Sequence, residues 1–328
     1  MLPETSAVTM KALQLIRERP EEAPRLVFAT VPKPKLIPHH VLVRVHASAI
    51  HPSDILNAQG LFPHTQYPRI VGRDYAGIIE EGPQHLVGLE VYGTSGHSYA
   101  FTEDGFQAEY CLVHENDFAQ KPKNITFTQA ATVGIPFTTA ALTIERTAVR
   151  PSDTVLVIGS NGSVGSSIVQ LAMSKGARVL KASRHDMEDG INTKTDPEMT
   201  TLDILTGGRG VDVVIDTVGS PALIRNALKK LTTGGRLAFI SAPKEGSTEL
   251  GVDMLACYRS DITLHGCNSL NQSAQEMARR MEGLGSLFES RRLLPQGNWT
   301  PVPLNRATGA YEALLNKSST EKFLVVMD

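Results

Sequence analysis

Thr154-Val155-Leu156-Val157-Ile158-Gly159-Ser160-Asn161-Gly162-Ser163-Val164-Gly165 is the stretch that decides the fold of this 328-residue chain. Four apolar residues, Val155 to Ile158, run into a glycine-rich turn, and a helical pattern follows from Val164 to Lys175. A short continuous apolar run of this kind reads as a strand covered on both faces. Glycine lets the backbone come close to a phosphate, while the N-terminus of the next helix offers unpaired N–H groups and the positive end of its dipole. A bare glycine pattern also fits an ordinary turn. Set between a buried strand and a helix, it reads as the pyrophosphate site of a dinucleotide, carried by Gly159, Ser160, Asn161, Gly162, Ser163, Val164 and Gly165.

Working outward, Arg178 to Ala182 reads as the next strand, Val211 to Asp216 as another, Pro221 to Leu231 as a helix and Arg236 to Ser241 as a further strand. Strand and helix alternating at this spacing predict an α/β, doubly wound parallel sheet covered by helices. Upstream, from Met10 to about Asp117, short alternating runs such as Val41 to His46 are broken by Pro and Gly, which predicts a β-rich domain. The tail reads as helix from Ser273 to Ser290 and from Tyr311 to Leu315, then as a closing strand from Phe323 to Met327. The expected division is a β-rich domain over 1–125, a dinucleotide-binding domain over 126–267, and a return of 268–328 to the first domain. Met1 to Thr9 is expected to be a frayed extension.

Composition narrows the partners. Lys plus Arg number 32 against 34 Asp plus Glu, so no excess of positive charge points to nucleic acid or an anionic membrane. A small-molecule substrate is the expected partner. No apolar run reaches the length of a membrane span, and no secretory signal is readable at the start. Three scattered cysteines, Cys111, Cys257 and Cys267, form no disulfide framework, and the expected compartment is the reducing cytoplasm.

The end of the second strand bears on the dinucleotide. An acidic residue there takes the ribose 2′-hydroxyl of NAD. This chain has Ser183-Arg184-His185, with no carboxylate to repel a 2′-phosphate and an arginine whose planar fork suits one, so NADP(H) is expected. The alternative is that Arg184 is a solvated surface charge.

Several ordered motifs carry a resemblance over nearly the whole chain. They are Ala49-Ile50-His51-Pro52-Ser53-Asp54, Val71-Gly72-Arg73-Asp74-Tyr75-Ala76-Gly77, Asp104 to Tyr110, Pro136-Phe137-Thr138-Thr139-Ala140, the phosphate turn, and Gly210 to Gly219. Together they resemble the medium-chain dehydrogenase/reductases, in particular the zinc-independent quinone oxidoreductase and trans-acting enoyl reductase branch. The resemblance implies a GroES-like catalytic domain beside a Rossmann domain. It implies cofactor contacts from His51, Asp54, Thr139, Val218 and Ile240 in addition to the turn, Ser183 and Arg184. It also implies dimers joined at the edge of the Rossmann sheet, for which Ile262-Thr263-Leu264-His265 is the candidate strand.

The same comparison argues against catalytic zinc. His51 stands where zinc alcohol dehydrogenases carry a Cys ligand, and Arg73 where they carry a His ligand. Arginine does not lose its proton to become a ligand. Asp54 matches the carboxylate that orients the zinc-bound His, so an Arg73–Asp54 ion pair is expected, against Arg73 turned to solvent and Asp54 capping a turn. Two departures stand out: the branch carries Asn where His51 stands, and Ser183 to Ile191 is too short for the family's usual helix.

Without zinc to polarise a simple carbonyl, substrates activated by conjugation fit best: quinones, enones and enoyl thioesters. Hydride addition leaves an enolate that needs a proton or hydrogen-bond donor. His51 is the first candidate donor, against a role in packing on the cofactor. Tyr67 is a second, against a packing role. Thr139 matches a Thr near the nicotinamide, against capping the helix that follows it. Two other function classes stay open: a non-redox isomerisation or cyclisation of a specialised metabolite, and NADPH binding without turnover.

Overall fold

The computed structural model describes residues 8–295 and 297–327. The expected extension falls largely on residues 1–7, outside the described residues. The chain forms two compact units: Met1–Ile135 with Leu270–Asp328, and Pro136–Ser269.

The first unit opens with β1 (Thr9–Ile16), β2 (Arg25–Pro32), β3 (His40–Ala49), α1 (Pro52–Ala58), β4 (Arg69–Ile70) and β5 (Asp74–Glu81). β6 (Glu90–Thr94), β7 (Tyr110–His114), β8 (Ala119–Gln120) and α2 (Phe127–Ala130) follow, and α3 (Gly134–Arg146) leads into the second unit. β1 pairs antiparallel with β2 and β4. The larger sheet is built around β3, which pairs antiparallel with β5 and with β7. Alternation decides which face of β3 is covered: Val41, Val43 and Val45 point into one cluster with Tyr75, Ile79, Val91 and Phe106.

The second unit contains β9 (Thr154–Ile158), α4 (Ser163–Ser174), β10 (Arg178–Ser183), β11 (Gly190–Asn192), α5 (Thr200–Thr206) and β12 (Val211–Asp216). It continues with α6 (Pro221–Leu228), β13 (Leu231–Phe239), α7 (Met254–Arg259) and β14 (Thr263–Gly266). The strands are parallel in the order β11-β10-β9-β12-β13-β14. This is a Rossmann-type sheet. Every residue of β9 is buried, as its unbroken apolar run requires. The chain leaves β9 toward β10 and returns on the other side with β12, so the switch point lies at the carboxyl ends of β9 and β12.

Two local readings change. α6 stops at Leu228 because β13 starts at Leu231, where it pairs with Val211. The shortened stretch after β10 carries a three-residue strand, β11, that lengthens the sheet by parallel pairing with Lys181 to Ser183.

The tail returns to the first unit with α8 (Ala274–Glu289), β15 (Trp299–Pro303), α9 (Ala307–Leu315) and β16 (Lys322–Val326). β16 pairs antiparallel with the last residues of β3, just before His51. Among the described residues, no helix is long and apolar enough to cross a membrane.

Candidate active site

The first unit gathers its polar groups where β3 gives way to α1. Pro52 opens α1, where its missing N–H costs nothing. That places His51 at the helix start and Asp54 in the first turn, and the Asp54 carboxylate accepts the His51 backbone N–H at 2.8 Å. The His51 ring is 2% exposed, and its Nε2 lies 2.7 Å from Asp74 Oδ2 at the start of β5. A carboxylate oxygen only accepts, so Nε2 carries the proton in this bond. The same Asp74 oxygen accepts the Ile135 backbone N–H at 2.7 Å. Trp299 meets the His51 ring edge-on, with centroids 5.7 Å apart.

Arg73, beside Asp74, is 3% exposed. Its Nε donates to Ser95 Oγ at 2.9 Å, Nη1 to Ser53 Oγ at 2.9 Å, and Nη2 more weakly to the Gly96 carbonyl at 3.4 Å. The Phe101 ring lies 5.3 Å from the guanidinium carbon. The expected Arg73–Asp54 ion pair does not form, because the Asp54 carboxylate is turned to its own helix start. Nor is Arg73 turned to solvent. Burial pulls its pKa down, while Asp54 and Asp74 at longer range push it up. Burial pushes the Asp54 carboxyl up to about 6, against the pull of His51 and Arg73. One oxygen each of Asp54 and Asp74 is buried without a hydrogen-bond partner.

The other candidate donors fare differently. Tyr67 packs against the cluster of Leu13, Leu15 and Tyr311, under the Arg17 guanidinium at 4.5 Å. That is a packing role. Thr139 does not cap a helix: α3 begins five residues earlier, at Gly134, so Thr139 sits inside it. Its carbonyl accepts from Thr143 Oγ1 at 2.8 Å, and its own hydroxyl is buried without a partner.

In the second unit, the glycines have steric reasons. Gly159 takes φ +81°, and a Cβ there would run into Thr217. A Cβ on Gly165 would strike the Gly159 carbonyl, so α4 packs against the turn only with glycine at that point. Gly162 caps α4, leaving the first-turn N–H groups of Ser163, Val164 and Gly165 at the switch point. Ser160 Oγ donates to the Ala182 carbonyl at 3.2 Å, and Asn161 Nδ2 to Ser183 Oγ at 3.2 Å, tying the turn to the end of β10. Arg184 is exposed, and Asp186, the next acid along the chain, accepts from Asn192. Val218 is 45% exposed just beyond β12, and Ile240 follows β13, its N–H held by the Asp216 carbonyl at 3.1 Å. Asp216, which sequence reasoning passed over, is fully buried; one oxygen accepts the Gly219 N–H at 2.6 Å, and burial pushes its pKa up to about 6.

Family models agree with both units: residues 37–123 match the alcohol dehydrogenase GroES-like domain and residues 163–283 the zinc-binding dehydrogenase domain. A zinc-type alcohol dehydrogenase-like protein of Schizosaccharomyces pombe is 43% identical over 324 residues, 97% of each chain. The chain belongs to the medium-chain dehydrogenase/reductase superfamily. Two further relatives are the quinone oxidoreductase of Rattus norvegicus, 28% identical over 88% of each chain, and the acryloyl-coenzyme A reductase of Sulfurisphaera tokodaii, 30% identical over 64% of this chain and 71% of that one. The fold matches that of an alcohol dehydrogenase superfamily protein from Novosphingobium aromaticivorans with TM-score 0.83, at 24% identity over 97% of this chain and 100% of the other.

Superfamily membership raises two tests of the residues present. A dinucleotide fits: glycine at 159 and 165 lets the turn pack closely on Thr217 and on the start of α4, and the first-turn N–H groups of α4, capped by no side chain, are left for a pyrophosphate. A zinc ion does not fit the donor set around His51. Arg73 is a cation without an acceptor atom, His51 is bonded to Asp74, and among the described residues no group of three or more His, Cys, Asp or Glu is arranged to hold a metal.

Proposed function

We propose that the protein is an NADPH-dependent reductase of conjugated carbonyl compounds, quinones, enones or enoyl thioesters, and that it works without zinc. The observation that carries this reading is Arg73: a buried guanidinium, bonded to Ser53, Ser95 and Gly96, occupies the place that a metal-ligating histidine takes in zinc alcohol dehydrogenases. Without a metal, a simple carbonyl is poorly polarised, whereas a conjugated acceptor carries its own activation. The quinone oxidoreductase and acryloyl-coenzyme A reductase relatives support the same substrate class.

When bound, NADPH supplies the hydride. The protein's part is placement. The N–H groups at the start of α4 receive the pyrophosphate, and Arg184 pairs with the 2′-phosphate where no carboxylate competes. The buried Thr139 hydroxyl, lacking a partner, is suited to the nicotinamide amide. His51 is fixed by Asp74 and Trp299, which favours its holding role over that of a free proton carrier.

The test is loss of absorbance at 340 nm with NADPH and a panel of quinones, enones and enoyl thioesters, on protein dialysed against a chelator and then supplied with zinc. Turnover on at least one conjugated acceptor, unchanged by zinc, is expected. Activity that appears only with zinc, or on simple alcohols, overturns the reading. Tight NADPH binding with no oxidation on any acceptor points instead to the non-redox classes.

A further inference from the structure

The second unit holds a cavity of about 310 Å³ between α6 and α7, closed on one side by the loop that leads into α7. That volume falls at the lower end of the about 300–1,000 Å³ range of small-molecule sites. Asp253, Ala256, Cys257 and Ser260 line it at i, i+3, i+4 and i+7, so they share one face of α7 and its caps. The large apolar side chains of this helix, Met254, Leu255 and Tyr258, are turned out and exposed. Small groups on the inward face do not reach the density of a packed interior, and the space they leave is the cavity. Its floor is aliphatic, from Leu228, Leu231, Val252 and Ile262. At its rim α6 sets Arg225 and Lys229 one turn apart, both exposed, and neither makes an ion pair or side-chain hydrogen bond among the described residues. The neighbouring Lys230, by contrast, is paired with Asp203. The acid of the wall, Asp253, is engaged, its Oδ1 accepting the Ala256 N–H at 3.0 Å. Cations at the C-terminal end of α6 also suit its dipole, but that leaves the aliphatic space beside them unexplained.

We propose that this cavity is a binding site for a small aliphatic carboxylate, its chain lying against Leu228, Leu231, Val252 and Ile262 and its charged end between Arg225 and Lys229. Taking the aliphatic walls out of water drives the chain in. The planar fork of Arg225 suits a carboxylate, and with Lys229 beside it an uncharged chain end makes the poorer ligand. Walls that offer no ring to stack on select a chain over an aromatic acid. None of the wall residues is among the candidate cofactor contacts, so the site is additional to that of the dinucleotide and stands apart from the reductase reading.

The experiment uses the whole protein, with Cys257 as the reporter. Cys111 and Cys267 are buried, whereas Cys257 is half-buried on the cavity wall. The rate at which iodoacetamide alkylates Cys257 is followed by peptide mass mapping against increasing octanoate or 1-octanol. Octanoate is expected to slow the alkylation saturably, at concentrations about tenfold below those that 1-octanol needs, the worth of two exposed charge pairs. Arg225→Gln combined with Lys229→Gln is expected to erase that preference, and Ala256→Leu, which fills the cavity, to remove protection by either compound. Thermal melts identify a variant that fails to fold, and the glutamine pair, on exposed positions of α6, carries the test if Ala256→Leu does not fold. Absence of protection in wild type overturns the proposal, as does equal protection by the two compounds or protection that persists in folded Ala256→Leu. Protection that rises with protein concentration and ignores octanoate assigns the cavity to a second copy of the chain, and overturns it as well.

Discussion

At Asp54 a single carboxyl both fastens the entry of α1 and sits in an environment that disfavours its charge. Burial raises its pKa from 3.8 to about 6. The folded state therefore keeps a proton that the unfolded chain has released between about pH 4 and 6, and stability falls as pH rises through that window, then levels off. The shift corresponds to roughly 3 kcal/mol. Asp54→Asn retains an acceptor for the His51 N–H and removes the titration. Urea unfolding at pH 4.5 and 7 is expected to show wild type losing stability relative to the variant as pH rises; parallel curves would contradict the assignment. Arg184, exposed just beyond β10, is the residue proposed to recognise the 2′-phosphate. Arg184→Ala is expected to weaken NADPH binding about tenfold and leave NADH unchanged by fluorescence titration, about the worth of one charge-assisted hydrogen bond. His51 and Arg73 were both legible as candidates, because each breaks a ligand pattern in a motif of fixed spacing. Their partners were not: Asp74 stands in the same motif as Arg73, but nothing in the chain order says that it faces His51. Asp54 and Arg73 looked complementary by charge, whereas the helix start claims the carboxylate first. An acid three residues after the N-cap of a helix that opens on proline is the signal that points to this.

At the scale of elements, the join between the phosphate turn and α4 depends on backbone approaching backbone. Gly165→Ala puts a methyl group against the Gly159 carbonyl, and the turn must shift. Binding of NADPH and NADH is expected to weaken together, in contrast to Arg184→Ala; loss of one alone by the same titration would argue against a shared pyrophosphate site. Elsewhere, α8 is closed by a reciprocal cap, in which Glu276 accepts the Ser273 N–H at 2.7 Å and Ser273 Oγ accepts the Glu276 N–H at 3.2 Å. Ser273→Ala is expected to cost about 1 kcal/mol in denaturant unfolding without altering cofactor affinity. The long elements could be read in advance, since α4, α8 and β9 each carry a strong periodic or unbroken apolar pattern. Short ones could not. β11 exists because Lys181 to Ser183 offer an open sheet edge to Gly190 to Asn192, a pairing between segments that neither carries alone. The start of α3 at Gly134 was hidden for a similar reason, because Pro136 and two threonines give no strong local preference.

At the scale of the molecule, among the described residues β14 pairs only with β13, so its outer edge offers unpaired backbone groups. The helix before it, α7, has no buried residue and leaves Met254 81%, Leu255 56% and Tyr258 78% exposed. A second copy related by a two-fold axis is the partner that such an edge accepts most simply. Sedimentation equilibrium is expected to give twice the 35.5 kDa chain mass, and Leu264→Lys with Tyr258→Asp to return it to one. A monomeric wild type at micromolar concentration would count against this assembly. The two-part architecture was legible from the change of rhythm near Thr154, where turns and alternation give way to buried strands and helices. The return of the tail rested on topology alone, and its place beside β3 is set by the pairing of Leu324 to Val326 with Ala47 to Ala49.

The bond of Asp74 to both His51 and Ile135 has a consequence for how the gene can drift. A Cβ on Gly134 would lie 2.5 Å from Asp74 Oδ1, so position 134 is closed to every side chain while that carboxylate stays where it is. Positions 51, 74 and 134 are therefore coupled. Exchange of the histidine alone leaves Asp74 held by the Ile135 N–H, beside position 134, so the glycine can be replaced only once the acid itself is exchanged or moved.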